Sequence, residues 1–145
     1  RPNAKSEQDG ENEEGAKFKV RYQYAPLRVS SNSREFCRKM VAAKKIYRKE
    51  DIQQMSQRAV NAGWGVNGAD TYDIWLYKGG GDCHHYWMRK TYMQKGSGVD
   101  VNSPNAPTIS VNEAKKKGFK PQVNEKEVAM RPTDMPNNGF VNKNR

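Results

Sequence analysis

Cysteine and histidine are scarce in this chain of 145 residues, which contains two of each. Two cysteines do not make a disulfide framework, so a reducing interior is the default expectation. Apolar runs are short as well: none approaches the ~18 residues that a membrane span needs, and no secretory apolar segment is visible. Hydrophobic residues make up only 34% of the chain, so either the core is small or much of the chain lies outside it.

The charges are distributed unevenly and divide the chain into three parts. Residues 1–16 carry two Lys or Arg against five Asp or Glu, and their polar composition predicts a flexible arm. Residues 17–95 carry sixteen against six, a net charge of +10, and hold most of the aromatic residues. Residues 96–145 hold five of the seven prolines and predict an extended tail. A basic domain of this kind attracts polyanions such as nucleic acid, or an acidic protein surface.

Short-range periodicity predicts the first elements of the basic part. Apolar residues alternate with polar ones over residues 17–29, which predicts a strand with one apolar and one cationic face, ended by Pro26. Apolar residues recur at helical spacing from about Arg34 to Ala43, after a turn rich in serine that supplies caps. A second short helix is predicted from about Lys49 to Asn61, with acidic residues in its first turn.

The second half of the basic part predicts a hairpin-like corner. Residues 71–77 alternate and predict a strand, Gly79 to Gly81 turn the chain, and residues 83–93 predict a returning strand. A helix over residues 83–93 stays open as the alternative. In the tail, residues 110–117 alone have helical character, with Ser110 as the cap. The predicted fold is therefore a small α+β domain with two short helices and a short antiparallel sheet, flanked by the arm and the tail.

The window YDIWLYKGGGDCHHYW, residues 72–87, concentrates the unusual chemistry of the chain. On a strand, Cys83 and His85 share one face. With Cys37 they form a candidate zinc site, which Asp82 or water would complete. A Cys37–Cys83 disulfide and a plain packing role, in which both cysteines act as small buried hydrophobes, stay open as alternatives.

Motifs for catalysis are missing. The KGGGDC segment is not a phosphate loop, because its glycines are not spaced to present backbone N–H groups ahead of a helix. A thiol enzyme based on Cys37 would need an orienting Asn and an oxyanion segment, and neither is evident. The sequence also has no evident Ser, His and Asp set. These observations favour a protein that is not an enzyme.

Binding residues are therefore sought among the cations of the basic part and the isolated apolar residues of the tail. The tail residues could dock one by one on a partner, although a disordered linker is an open alternative. Trp64, in a glycine-rich loop, is interpreted as a lid over a hydrophobic surface. The candidate partner-binding residues are Arg34, Arg38, Lys39, Lys44, Lys45, Arg48, Lys49, Phe119, Met130, Met135 and Phe140.

Two segments also carry a resemblance. FCRKMVAAKKIYRKEDI and YDIWLYKGGGDCHHYW, together with the tail sequence EVAMRPTDMPNNGF, resemble a module of head-morphogenesis proteins of tailed bacteriophages. The variety is that found near minor head and prohead-protease-associated proteins, including those of phages of gut Bacteroidetes. The matching residues are Cys37 and Arg38, Arg48 to Ile52, Gly79 to Gly81, Cys83, His85 and Trp87.

The resemblance implies a virion component, a minor capsid or capsid-associated protein that stabilises the head. It implies the major capsid protein or other virion proteins as partners, packaged DNA as another, and a place in a large assembly formed in the host cytoplasm. A chain that begins with Arg1 also suits proteins trimmed by a prohead protease. Two alternatives from other classes are a nucleic-acid-binding module without sequence readout and a zinc-stabilised interaction domain.

Overall fold

The computed structural model of the chain describes residues 1–26, 34–80, 85–94, 100–103 and 106–119. These residues form four helices and one antiparallel sheet of five strands, which confirms the α+β prediction. None of the described helices combines the length and apolar character that crossing a bilayer requires. The elements are β1 (Gly10–Glu11), β2 (Lys17–Pro26), α1 (Glu35–Ala43), β3 (Ile46–Tyr47), α2 (Lys49–Met55), α3 (Ile74–Tyr77), β4 (His85–Gln94), β5 (Thr108–Ile109) and α4 (Val111–Lys116).

The sheet is organised around the long pairing of β2 with β4, in which Lys17 lies opposite Gln94 and Pro26 opposite His85. β1 and β3 pair with β2, and β5 pairs with β4. Because side chains alternate along a strand, β2 presents its apolar residues to a single face. That face is the main core, where Phe18, Val20, Tyr22 and Tyr24 of β2 are all buried.

Four predicted elements are confirmed, and each has a strong local signal. β2 and β4 are strands as predicted, and β2 ends at Pro26. α1 starts one residue after the predicted Arg34 and ends at Ala43. α4 is capped as predicted, since the Ser110 hydroxyl accepts a hydrogen bond from the Glu113 amide at 3.1 Å.

The predicted strand at residues 71–77 is wrong, because these residues contain the short helix α3. The Asp73 carboxylate accepts the Leu76 amide at 3.1 Å and caps the helix. Ile74 and Trp75 are both buried, a consecutive pair that an alternating strand with one core face would not give. The second predicted helix is also shorter than expected: α2 ends at Met55, and turns follow it.

Residues 1–16, whose composition predicts a flexible arm, lie against the sheet. Arg21, expected on a cationic outer face of β2, is 0% exposed beneath this segment. Its guanidinium donates to the Asp9 carboxylate at 2.6 Å, to the Pro2 carbonyl at 2.6 Å and to the Ala4 carbonyl at 2.9 Å. A buried charge without hydrogen-bond partners is very costly. The bonds that satisfy Arg21 therefore also hold residues 1–9 against the sheet.

The start of α2 holds the same segment from the other side. Glu50 accepts the Ser6 hydroxyl at 2.7 Å and the Glu7 amide at 2.9 Å. Arg48 donates to the Lys5 carbonyl at 2.7 Å and forms a forked ion pair with Asp51, with N···O distances of 3.0 and 2.7 Å. The polar N-terminal residues therefore take their hydrogen bonds from side chains of the domain rather than from a regular element.

The contacts that Arg48, Glu50 and Asp51 make with each other and with residues 5–7, which we call the clasp, predict a loss of stability in acid. Burial alone would raise the pKa values of Asp51 and Glu50, but hydrogen bonds from Arg48 to Asp51, and from Ser6 and Glu7 to Glu50, outweigh it and hold both pKa values below their ordinary range. Carboxyls with lowered pKa contribute stability above about pH 4, their unfolded range, and lose it as the pH falls through the folded values. Urea unfolding at pH 7 and pH 3 should show the loss.

A variant with Glu50→Gln and Asp51→Asn is the control, because it lacks both titrating groups. Its unfolding free energy should be lower at pH 7 and should fall less on acidification than that of the parent chain. An identical pH dependence in the two proteins would show that the clasp does not contribute.

Residues 106–119, predicted as tail, also belong to the packed domain. β5 extends the sheet at Thr91 and Tyr92, and Ala114 of α4 is fully buried. Phe119 is 8% exposed and stacks on Phe18 with ring centroids 4.8 Å apart. It is a core residue and not the partner anchor that its isolated position in the sequence suggested. The other three predicted anchors, Met130, Met135 and Phe140, lie outside the described residues.

Candidate protein-docking surface

Aromatic side chains of β2 and β4 form a packed corner around Tyr24, a β2 residue outside the window 72–87 that the sequence singled out. The Tyr24 hydroxyl lies 3.2 Å from the Cys37 sulfur, within hydrogen-bond range for a thiol. The His85 ring stacks on Tyr24 with centroids 5.1 Å apart, and Trp87 packs edge-on at 4.9 Å. Trp87 in turn donates its indole N–H to the Ile74 carbonyl at 3.2 Å. The corner thus joins α1, β2, α3 and β4 into one packed unit.

The predicted zinc ligands are brought close to this corner only in part. Cys37 and His85 both contact Tyr24, whereas Cys83 lies outside the described residues. Within the ranges that the structure describes, no group of three or more His, Cys, Asp or Glu side chains could hold a metal ion. Cys37 is a buried thiol rather than half of a disulfide. The zinc site therefore stays a prediction, and the contacts of Cys37 and His85 are those of packed side chains.

Three of the predicted partner-binding cations are engaged inside the domain. Arg48 is buried in the clasp with Asp51. The Lys49 ammonium lies 4.8 Å from the centroid of the Trp75 ring. The Arg34 guanidinium lies 4.0 Å from the centroid of the Trp64 ring and donates to the Gly79 carbonyl. Trp64 is therefore itself covered on one face by a cation.

The other four predicted cations, Arg38, Lys39, Lys44 and Lys45, are exposed on α1 and the turn that follows it. Lys39 forms an ion pair with Glu35 at 2.8 Å, one helical turn away. The hydrogen bond and charge of Lys39 hold the pKa of Glu35 below its ordinary value, so Glu35 stays ionised and neutralises one of these cations. Arg38, Lys44 and Lys45 form no ion pair with any other described residue.

A groove of about 390 Å³ runs between α1 and the segment 60–64. Its apolar lining comes from the half-buried Phe36, Met40 and Trp64, and from Val60. The Val60 side chain is 38% exposed and is the one large hydrophobic residue exposed among the described residues. Two cationic residues, Arg34 and Lys39, also line it. The full lining is Arg34, Glu35, Phe36, Lys39, Met40, Val60, Asn61, Ala62 and Trp64. We refer to this feature as the α1–Trp64 groove.

Hydrogen bonds fix both walls of the α1–Trp64 groove to one backbone carbonyl. Arg34, on the α1 side, donates to the Gly79 oxygen. The buried Asn61 amide, on the other side, donates to the same oxygen at 2.8 Å and to the Tyr72 hydroxyl at 3.0 Å. The Tyr72 hydroxyl donates onward to the Lys78 carbonyl at 2.7 Å. The groove is therefore preformed, which lowers the entropy that binding would cost.

The sequence singled out Arg34, Lys39 and Trp64 but missed Val60 and Asn61, which line the groove on the side opposite α1. Val60 lies near the end of the helix predicted from about Lys49 to Asn61, where a single valine does not indicate a binding surface. Asn61 is one of many asparagines, and its burial could not be anticipated without the fold. The GGG sequence at 79–81 was the available signal, because it marks a place where side chains must approach the backbone closely.

Comparison of the chain with protein-family models, with proteins of curated function and with solved structures found no match.

Proposed function

We propose that this chain is a structural, non-enzymatic component of a tailed-phage virion, a minor capsid or capsid-associated protein of the head. It binds acidic surfaces of neighbouring capsid subunits through the exposed cations of α1 and so stabilises the shell. The virion assignment rests on the sequence resemblance, and the observation that carries the docking role is the juxtaposition of exposed cations, on α1 and in the turn after it, with an apolar groove. Its location would be the virion, after assembly in the host cytoplasm.

The charge of this region supports an acidic partner. Residues 34–45 contain five Lys or Arg and one Asp or Glu, a net charge of +4. Such a field accelerates association with an acidic surface and raises its specificity. Arg38 and Lys39 lie on α1, and Lys44 and Lys45 lie in the turn that directly follows it, so all four exposed cations belong to one short stretch of the chain.

A nucleic-acid-binding function is less well supported. Single-strand binders stack bases on exposed aromatic rings. Here Tyr22, Tyr24 and Trp87 of the sheet and Trp75 of α3 are buried in the core. Non-specific phosphate binding by the cations alone remains the other outcome that an experiment should be able to detect.

Incorporation into particles tests the proposal. In the phage that encodes this sequence, Arg38→Gln, Lys44→Gln and Lys45→Gln together should lower the copies of the chain per purified particle at least about fivefold, because rim charges govern association. Quantitative mass spectrometry of the particles measures the copy number. The matched control is Lys115→Gln, Lys116→Gln and Lys117→Gln, which removes the same charge from exposed positions at α4. It should change the copy number less than twofold.

Absence of the chain from wild-type particles would refute the structural role. The other outcome is that the chain binds a 30-base-pair DNA at low salt and loses this affinity steeply as the salt concentration rises. If the variant with Arg38→Gln, Lys44→Gln and Lys45→Gln, the α1 charge variant, loses DNA binding but is incorporated normally, the cations would be assigned to packaged DNA.

A further inference from the structure

We infer that the α1–Trp64 groove is the docking site for an acidic segment of a partner protein, which inserts one large apolar side chain between α1 and Trp64. The inference deepens the proposed function, on which the choice of a protein partner partly rests. It assigns the apolar contact to Phe36, Met40 and Val60, and the electrostatic contact to the cations at the edge.

The lining of the groove calls for an apolar ligand group. Val60 is 38% exposed, the one large hydrophobic side chain exposed among the described residues, and it lines the same groove as the half-buried Phe36 and Met40, so an apolar surface remains open to solvent there. Covering this surface would remove it from water with a favourable free energy. A phosphate backbone offers no apolar group of this kind, which argues against nucleic acid as the occupant.

The charge at the edge selects the residues that flank the apolar group. The charged lining residues are Arg34 and Lys39 against Glu35, a net charge of +1, and residues 34–45 together carry a net charge of +4, so the surroundings of the groove are cationic. An extended segment with Asp or Glu on each side of its apolar residue would complement this rim. A second copy of the chain fits poorly, because its own α1 region carries the same net charge of +4.

The size of the groove sets how much of the partner enters it. A volume of about 390 Å³ lies near the lower end of ligand-sized pockets, which span about 300–1,000 Å³. It accommodates one large side chain and the backbone beside it, but not an amphipathic helix with several anchors. The preformed walls, tied to the Gly79 carbonyl through Arg34 and Asn61, suit a short linear segment.

Three synthetic heptapeptides test the inference on the full chain. The first is Asp-Asp-Glu-Phe-Glu-Asp-Asp, the second replaces Phe by Ser, and the third keeps Phe but replaces every acidic residue by Lys. Isothermal titration calorimetry at moderate salt should show the first binding about 10- to 100-fold more tightly than the second, the range expected for burial of one aromatic side chain. The third should not bind measurably, because it meets a rim of like charge.

A pair of variants locates the site. Val60→Glu places a carboxylate in the groove at an exposed position and should weaken the first peptide at least about tenfold. Gln54→Glu adds the same charge on an exposed residue of α2 outside the groove, and should change the affinity less than twofold. Thermal unfolding followed by circular dichroism checks that both variants fold like the parent chain.

Equal binding of the Phe and Ser peptides, or no binding of either, would overturn the inference, since the groove would then play no part. A groove that binds the Phe peptide in a chain that is absent from particles would leave the inference standing while the proposed function fails. If Val60→Glu is incorporated normally while the variant with Arg38→Gln, Lys44→Gln and Lys45→Gln is not, the proposed function would stand and the docking inference would fail.

Discussion

Arg21→Met is expected to lower the free energy of unfolding by about 3–5 kcal/mol, the loss typical of breaking a buried ion pair from one side. The Arg21 guanidinium is fully buried and donates to Asp9 and to three backbone carbonyls. Methionine fills a similar space but leaves the Asp9 carboxylate and the carbonyls without their donor. Urea unfolding measures the loss, and hydrogen exchange should show residues 1–9 losing protection first.

Two further variants separate the ion pair from the loss of charge alone. Lys17→Met removes a positive charge from an exposed position of the same strand and should change stability by no more than about 0.5 kcal/mol. Adding Asp9→Asn to Arg21→Met should recover part of the loss, because the abandoned carboxylate is then neutral. An Arg21→Met protein as stable as the parent chain would contradict the role of this network.

Gly80→Ala should destabilise the protein by about 3 kcal/mol or more. Gly80 has a φ angle of +87°, where an L-residue costs about 1–2 kcal/mol. A Cβ atom there would lie 2.0 Å from the Trp64 carbonyl oxygen, so the backbone beside the groove would have to move. Overpacking of this kind typically costs a further 1–3 kcal/mol. Chemical unfolding and the fluorescence of Trp64 both report on the change.

Gly15→Ala is the matched control for the steric part. Gly15 has nearly the same φ angle, +85°, but the nearest atom to its added Cβ is the Glu11 carboxylate oxygen at 3.7 Å. Only the conformational term should then apply, about 1–2 kcal/mol. If the two alanine variants lose the same stability, the close approach of Trp64 to Gly80 has no energetic consequence.

Periodicity and capping predicted the parts of the fold in which local and tertiary preferences agree. β2 was predicted because its apolar side chains alternate and all pack on one face, and α4 because Ser110 is a good cap. α3 was mistaken for a strand because four residues are too few to establish a period, and Tyr72, before the helix, happens to alternate with Ile74 and Leu76 inside it.

Residues 1–16 and 106–119, the described parts of the terminal segments that pack on the domain, were mispredicted for a different physical reason. Residues 1–9 need no apolar pattern, because hydrogen bonds to Arg21, Arg48 and Glu50 hold them in place. These partners are distant in the chain, so the local sequence does not indicate them. Phe119 reaches Phe18 across about a hundred positions of chain, so nothing near it indicates burial. Polar composition predicts disorder only when a segment lacks partners elsewhere in the fold.

The candidate site was predictable in its charge but not in its shape. The cationic face of α1 follows from the sequence, since Arg38, Lys39, Lys44 and Lys45 surround an apolar stripe. The groove depends instead on how the loop carrying Trp64 returns to α1, and that return is fixed by the Gly79 carbonyl. A backbone atom that serves two distant side chains leaves no compositional trace beyond the glycines.

The pairing of β2 with β4 has a consequence for synthesis on the ribosome. Partner residues in this ladder are separated by 59 to 77 positions along the chain. At elongation rates of about 5–20 residues per second, β2 emerges roughly 3–15 s before its main partner. During that interval Phe18, Val20 and Tyr22 have no sheet to bury them. Nascent chains of this protein therefore carry their greatest risk of aggregation in β2, the long strand that is complete well before its main partner.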